Sequence, residues 1–232
     1  MSKHVIFCED FTGEVHHAVD AYGNTINEIT TAGGWTPFWT EDDGHLRPEM
    51  RVIDASNPNY LEPVMRLNDA ERGIKIFKQW GVMDAGYYRQ AVVSAGITMI
   101  QASLQGHCWY SQADDPTKSV YKCGESLCAV TEGMRLWIGI DAAGGTDPWA
   151  DSIEWSYQNI YDAHGYVYLS LVDPGPLVTV FIRTDSNYGF LHVDAYFANV
   201  ELVGYSDDEP EPCRGAPREQ YVRVVNVVPQ DA

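Results

Sequence analysis

With 232 residues, of which 45% are hydrophobic and 21% charged, the chain has the length and apolar content of one large or two small folded domains. Asp and Glu number 33 against 15 Lys and Arg, and the net charge of −18 excludes nucleic acid and anionic membranes as general partners, because like charges repel. No apolar run reaches the roughly 18 residues of a spanning helix, and the first ten residues turn acidic before a signal segment could form, so we expect a soluble, unanchored chain.

The N-terminal half is predicted to consist mainly of strands. Apolar residues at positions 15, 19, 22, 26 and 29 allow one short helix over 15–31, although Gly23 inside it weakens that interpretation. Residues 73–80 alternate between apolar and polar side chains, which is typical of a half-buried strand. Further strands are indicated at 5–7, 51–54, 86–93 and 97–104.

A polar tract over 106–131 follows, and its length favours a functional or disordered loop. It holds Cys108, Cys123 and Cys128, three of the five cysteines; the others are Cys8 and Cys213. Two of the three could close a loop disulfide in an oxidising compartment, whereas free thiols fit a reducing one equally well. The sequence leaves both interpretations open.

The C-terminal half shows the clearest strand patterns, at 134–141, 152–156, 165–172, 177–184 and 193–203. Many short strands separated by turn residues, with few short helices, predict an all-β fold over residues 1–205, a β-sandwich or jelly roll of two antiparallel sheets. Residues 206–212 are acidic and rich in proline, so 206–232 is predicted to be a linker with a strand-like tail.

Gly144 and Gly145 lie between the predicted strands 134–141 and 152–156 and are surrounded in the sequence by Asp141, Asp147 and Asp151. Carboxylate oxygens in this arrangement could bind Ca²⁺. The favoured interpretation is structural: Asp141 caps a tight turn in which a glycine adopts a positive φ.

Motifs for catalysis are missing from the sequence. It contains neither the Gly-x-Ser-x-Gly nucleophile motif nor a His-Glu-x-x-His metal motif. His4, His16 and His17 lack regular ligand spacing and are interpreted as exposed side chains. The expectation is therefore a protein that is not an enzyme.

The aromatic residues carry the strongest functional signal, because 14 Tyr and 7 Trp exceed the 7 Phe. Flat rings stack on the apolar face of a sugar, while amide and guanidinium groups bond its hydroxyls. We predict that such a mixture gathers on one exposed side of the sandwich, whereas Trp35, Trp39, Trp137 and Trp155 are interpreted as core or end-plugging rings. The predicted ligand-binding residues are Trp80, Tyr88, Arg89, Gln90, Gln105, Trp109 and Tyr110.

Several stretches in order along residues 5–204 resemble bacterial galactose-binding-like β-sandwich modules of Chloroflexus-type surface proteins. They lie at 34–39, 46–49, 86–90, 138–148, 178–183 and 195–202. The resemblance implies a jelly-roll sandwich with carbohydrate as its partner and no catalysis. It also implies an extracellular or cell-surface location and a neighbouring catalytic or structural domain.

Relatives of this kind often hold a structural Ca²⁺ through an acid after the first strand and another in the last strand. This chain departs from that pattern, because Thr12 follows Phe11 and Ala198-Asn199 replace an acidic pair. What the resemblance implies here is a possible calcium site formed by Glu9, Asp10 and Asn199.

Three functional hypotheses follow. The leading one is non-catalytic binding of a polysaccharide or cell-wall glycan by aromatic stacking and polar contacts. The second is a structural or adhesive surface or virion protein that uses the aromatic patch as a protein interface. The third is a glycan-active hydrolase whose acids, such as Glu49 and Asp54, line a groove.

Overall fold

Buried and partly exposed side chains alternate over 99–104, whereas 178–182 and 193–198 are buried without interruption. The computed structural model describes residues 1–40, 47–54, 72–114 and 118–206, and within them every regular element is a strand. The strands are β1 Ser2–Glu9, β2 His16–Val19, β3 Thr25–Thr31, β4 Thr36–Trp39, β5 Glu49–Asp54, β6 Arg72–Phe77, β7 Asp84–Val92, β8 Ile97–Ser111, β9 Val120–Cys123, β10 Ser126–Ala129, β11 Met134–Asp141, β12 Ile153–Gln158, β13 Gly165–Val172, β14 Leu177–Ser186 and β15 His192–Ser206.

Two sheets form the sandwich. The eight-stranded sheet has the order β13-β8-β15-β6-β5-β3-β2, with β1 pairing alongside the C-terminal half of β15. The five-stranded sheet has the order β12-β11-β14-β7-β4. The described strands pair antiparallel except for one parallel contact between Ile29 of β3 and Met50 of β5, and an isolated parallel bridge joins Cys108 to Tyr161. The chain crosses repeatedly from one sheet to the other, as between β13 and β14, which is the connectivity of a jelly roll.

The core lies between the two sheets and is built from the inward-facing sides of strands such as β8, β11 and β14. On β14, Val178, Val180 and Ile182 are fully buried. On β8, Ile100 and Leu104 face them from the other sheet and belong to the same apolar cluster. The predicted all-β sandwich of two antiparallel sheets is therefore confirmed, as are the predicted strands in both halves.

The short helix that the apolar spacing allows over 15–31 does not form, and the described residues contain no helix at all. Those positions form the hairpin of β2 and β3 instead. The carboxylate of Asp20 accepts hydrogen bonds from the N–H groups of Tyr22 and Asn24, which closes a tight turn where the helix would have continued. Apolar spacing alone favoured the helix, and the turn chemistry overrode it.

The described parts of the polar tract, 106–114 and 118–131, form mainly strands rather than the expected loop. β8 runs on to Ser111, and β9 and β10 form a separate hairpin that a disulfide between Cys123 and Cys128 closes. Cys108 is buried in the core and takes no part in a disulfide. The disulfide alternative left open by the sequence is thus the one present in the structure.

The proposed linker and tail at 206–232 lie, apart from Ser206, outside the described residues. No helix among the described residues has the length and apolarity needed to span a membrane.

The turn after β11 confirms the structural interpretation of Asp141. Its Oδ1 accepts hydrogen bonds from the N–H groups of Ala143 and Gly145, and its Oδ2 accepts one from the Ser152 hydroxyl at 2.6 Å. Gly144 adopts a φ of 75°, which a side chain would strain. Burial raises the pKa of Asp141, but these hydrogen bonds outweigh it and hold the pKa below its ordinary value.

This network makes Asp141 a pH-dependent stabiliser. A carboxyl with a lowered pKa in the folded state stabilises above its ordinary pKa, and the contribution disappears as pH falls through the folded value. Asp141→Asn should lower the free energy of unfolding by about 1–3 kcal/mol at neutral pH. This loss of unfolding free energy should become smaller at pH values below the ordinary aspartate pKa of 3.8. Urea denaturation at neutral pH and below pH 3.8 checks this, with the exposed Asp151→Asn variant as the control. A loss of unfolding free energy that is the same at both pH values would contradict the prediction.

Candidate functional site

The outer surface of the five-stranded sheet carries the side chains that alternate with the core residues. On β14, Phe181, Arg183 and Asp185 point away from the core because Val180 and Ile182 point into it. Register then places Phe181 opposite Tyr88 of β7, and Arg183 opposite Trp137 of β11. We call this surface the aromatic face; its described members are Tyr88, Arg135, Trp137, Trp149, Trp155, Tyr157 and Arg183.

A small apolar cluster supports the aromatic face from beneath. Phe38, Ile153 and Phe181 are buried there, separately from the main core, and Trp155 packs against them. Gly139 lies opposite Trp155, and a Cβ at this position would come within 2.6 Å of the indole ring. Glycine is therefore required for the ring to lie across β11.

Arg183 stands at the centre of three tryptophans. Its guanidinium carbon lies 5.0 Å from the ring centroid of Trp149, 5.4 Å from that of Trp155 and 5.6 Å from that of Trp137. Asp84 accepts two hydrogen bonds from the same guanidinium, both at 2.7 Å. Cation–π contacts and a bidentate ion pair thus fix one arginine in one orientation.

A second arginine repeats the arrangement one strand away. Arg135 donates two hydrogen bonds to Asp185 and lies over Trp137 and Tyr157, with distances of 4.8 and 5.4 Å to the ring centroids. The hydrogen bond to Asp185 is the main cause that raises the pKa of Arg135. Each of the two guanidinium groups thus has two N–H donors engaged by a carboxylate.

The four charged groups influence one another. Burial raises the pKa of Asp84 more than its hydrogen bonds to Arg183 lower it, and the charge of Asp185 raises it further. Arg135 acts in the opposite direction. Asp84, Asp185, Arg135 and Arg183 therefore behave as one network of two positive and two negative groups.

The rings of the aromatic face are partly open to solvent. Trp149 is 44% exposed and Tyr157 is 46% exposed, whereas Tyr88, Trp137 and Trp155 are half-buried. At the edge of the face, the exposed Gln90 donates its amide to the carbonyl of Gly144 at 2.7 Å. The surface therefore combines flat apolar rings with fixed polar groups.

Only part of the predicted ligand-binding set lies here. Tyr88 and Gln90 belong to the outer side of β7, but Arg89 between them points to the opposite side of the strand. Arg89 bonds to the buried Glu9 at 2.6 Å and lies over the ring of Phe7. Its guanidinium is thus engaged inside the sandwich.

The remaining predicted residues belong to the other sheet or to a loop. Trp109 and Gln105 lie on the outer side of β8; Trp109 is 8% exposed and stacks on His192. Tyr110 faces the core, where burial raises its pKa to about 12. Trp80, 59% exposed, lies between β6 and β7.

The expectation that these rings share one exposed side is therefore wrong. Tyr88 and Trp109 lie on opposite outer surfaces of the sandwich. The reason is that β7 and β8 are consecutive in sequence but belong to different sheets, so that neighbours along the chain are separated by the whole core.

The three residues of the possible calcium site do not converge. Both carboxylate oxygens of Glu9 are engaged, one by the N–H of Phe11 and one by Arg89. Asp10 bonds the backbone and hydroxyl of Thr12, and Asn199 donates to Gln105 on the outer side of the sheet. A cation beside Glu9 disfavours Ca²⁺, so these residues do not fit the metal. No group of three or more His, Cys, Asp or Glu suited to a metal occurs within the described ranges.

Glu49 and Asp54 do not line a common groove either. They lie five residues apart on β5 and therefore point to opposite sides of the strand. Glu49 pairs with Arg51 at 3.0 Å, and Asp54 pairs with Arg72 at 3.0 Å. His4 bonds Ser206, while His16 and His17 are exposed as expected.

The sequence interpretation missed the main residues of the aromatic face. Trp137 and Trp155 were expected to be core or plugging rings, yet both lie outside the main core. A signal was present, since Leu136 and Ile138 flank Trp137 and a strand cannot bury three consecutive side chains on one side. Trp35, in contrast, is buried in the core as expected.

Comparison with known proteins yields distant resemblances. No protein-family model matches the sequence, and no curated protein matches it significantly. Among solved structures, TmCBM61 in complex with β-1,4-galactotriose is similar at 6% identity, over 75% of this chain and 88% of that one, with a TM-score of 0.46.

Two further structures resemble the chain to a comparable extent. The CBM22-1 xylan-binding domain from Paenibacillus barcinonensis Xyn10C is similar at 7% identity, over 89% of this chain and 98% of that one, with a TM-score of 0.44. A Stig cyclase from Fischerella sp. TAU is similar at 10% identity, over 83% of this chain and 90% of that one, with a TM-score of 0.46. Similarities this distant bear on no activity, so the function has to be inferred from the aromatic face itself.

The two kinds of tryptophan in this structure should respond differently to truncation. Trp109→Ala removes a nearly buried ring and should lower the free energy of unfolding by about 3–5 kcal/mol. Trp149→Ala removes an exposed ring that contacts Arg183 and Phe38, and should cost about 1 kcal/mol. Chemical denaturation of both variants checks this. Equal losses would mean that Trp149 is as deeply packed as Trp109.

Proposed function

We propose that the chain binds carbohydrate non-catalytically, and that the aromatic face is its binding surface. The observation that carries this proposal is the group of three tryptophans around Arg183, with Trp149 open to solvent. Trp149 and Tyr157 offer apolar ring surface to the C–H face of a sugar. Gln90 and the edges of the two arginine–aspartate pairs offer hydrogen bonds to hydroxyl groups.

The rigidity of the surface supports this role. Each arginine is held by two hydrogen bonds and at least two ring contacts, so little side-chain freedom remains to be lost when a ligand binds. A preformed surface reduces the entropic cost of binding. Glu49 and Asp54 point to opposite sides of β5, so this pair of acids gives no support to a hydrolytic mechanism.

The disulfide supports the accompanying proposal of an extracellular or cell-surface location. Disulfides persist mainly in oxidising compartments. Cys123 and Cys128 close an exposed hairpin rather than a buried one, so that a reducing cytosol would have access to it. A glycan-binding module with a neighbouring domain is the arrangement that we propose for this setting.

The residue types of the aromatic face also support a second candidate function. Trp, Tyr and Arg dominate the energetics of many protein interfaces, and the aromatic face combines all three. A structural or adhesive role would bring this face against another protein. Light scattering distinguishes the two, because self-association through this face should be lost in Trp149→Ala and should be independent of added glycan.

Affinity electrophoresis through gels that contain a panel of neutral polysaccharides tests the glycan-binding proposal. Wild-type protein should be retarded by at least one polysaccharide. Trp149→Ala and Tyr157→Ala should each reduce the affinity by about tenfold, which corresponds to one lost stacking contact of about 1.4 kcal/mol.

Matched controls are available elsewhere on the chain. Trp80→Ala and Tyr22→Ala remove rings that are at least as exposed but lie away from the aromatic face, and both should leave retardation unchanged. Retardation lost in Trp80→Ala but kept in Trp149→Ala would move the site to the segment between β6 and β7. No retardation by any glycan would contradict the proposed function altogether.

A further inference from the structure

The charges of the aromatic face cancel at close range, and this bears on which glycans fit it. Arg183 is paired with Asp84, and Arg135 with Asp185. Asp84 lies directly opposite Asp185 in the register of β7 and β14, and Asp185 lies opposite Arg135 in that of β14 and β11. The network therefore runs across three adjacent strands at one end of the face.

Each arginine directs two of its five N–H donors at a carboxylate. The Arg183 side chain is 18% exposed, and Nε and Nη2 both donate to Asp84. Arg135 is the more open of the two, with 34% of its side chain exposed, and its Nε and Nη2 donate to Asp185. An incoming anion would therefore meet two arginines whose charges are already balanced by bidentate carboxylates.

The surroundings of the network are acidic. Asp147 and Asp151 flank Trp149 in the chain and are exposed. The whole chain adds a net charge of −18. A uronate or sulfate group brought to the aromatic face would lose hydration and meet like charges, without a vacant cation to compensate it.

Resting on the proposed function, we infer that the aromatic face selects neutral glycans, and that Asp84 and Asp185 are its specificity-determining residues. Without these aspartates the same arginines and rings would form a surface suited to carboxylated sugars, since Arg pairs bidentately with carboxylates. The aspartates thus disfavour one class of ligand, because they balance the charge of the two arginines and engage one edge of each guanidinium.

The inference is tested with one polysaccharide in three forms. The neutral polymer that retards wild-type protein most is compared with its carboxymethyl derivative and with its hydroxyethyl derivative, which adds similar bulk without charge. The measurements are made in enough salt to screen long-range repulsion. Wild-type affinity should be about tenfold lower for the carboxymethyl polymer than for the hydroxyethyl polymer.

Two variants with the same change in net charge then locate the effect. Asp185→Asn releases the more exposed Arg135 and should raise affinity for the carboxymethyl polymer about tenfold, as expected for one charge-assisted hydrogen bond. Asp54→Asn releases Arg72, which lies outside the aromatic face, and should produce no such gain. Near-ultraviolet circular dichroism of the tryptophans verifies that Asp185→Asn remains folded.

Each outcome supports or contradicts the inferred selectivity for neutral glycans. Equal affinity of wild-type protein for the carboxymethyl and hydroxyethyl polymers overturns the inference while leaving glycan binding intact. A folded Asp185→Asn variant with no gain, or with a gain that Asp54→Asn matches, overturns the role of the aspartate. If Asp185→Asn does not fold, the comparison of the two derivatives with wild-type protein still tests whether the aromatic face selects neutral glycans. Failure of wild-type protein to bind any neutral polymer contradicts the proposed function, and the inference with it.

Discussion

The register of β14 between β7 and β11 is the constraint on which both the core and the aromatic face depend. Because side chains alternate along a strand, Val180 and Ile182 can enter the core only if Phe181 and Arg183 point outwards. A shift of one residue would bury Arg183 and expose Val180 and Ile182. The apolar demand of the core therefore fixes the position of the cation that organises the three tryptophans.

Arginine on such a surface requires partners, since a cation removed from water without compensation is costly. The structure supplies them from both neighbouring strands: Asp84 comes from β7, while the ring of Trp137 comes from β11. Arg135 obtains the same combination from Asp185 and Tyr157. These contacts make the face rigid and electrically neutral at once, and both properties bear on the proposed recognition of glycans.

The residues of the candidate site could be predicted from the sequence only in part. Aromatic rings beside polar side chains were recognised as the relevant chemistry, and Tyr88 and Gln90 do lie on or beside the aromatic face. Trp109 and Tyr110 satisfied the same local criterion, yet one stacks on His192 and the other faces the core. Local composition cannot separate these cases, because it does not state which sheet a strand joins.

The sequence by itself determined that the chain is an all-β sandwich, since the alternation in residues 134–141 and 177–184 and the turn residues between strands are local properties. The turn formed by Asp141 was determined in the same way, by hydrogen bonds within a few residues. The tertiary structure alone decided which rings share a surface. Trp137 and Arg183 are brought together by pairing between strands far apart in sequence, and such pairings depend on the packing of the whole core.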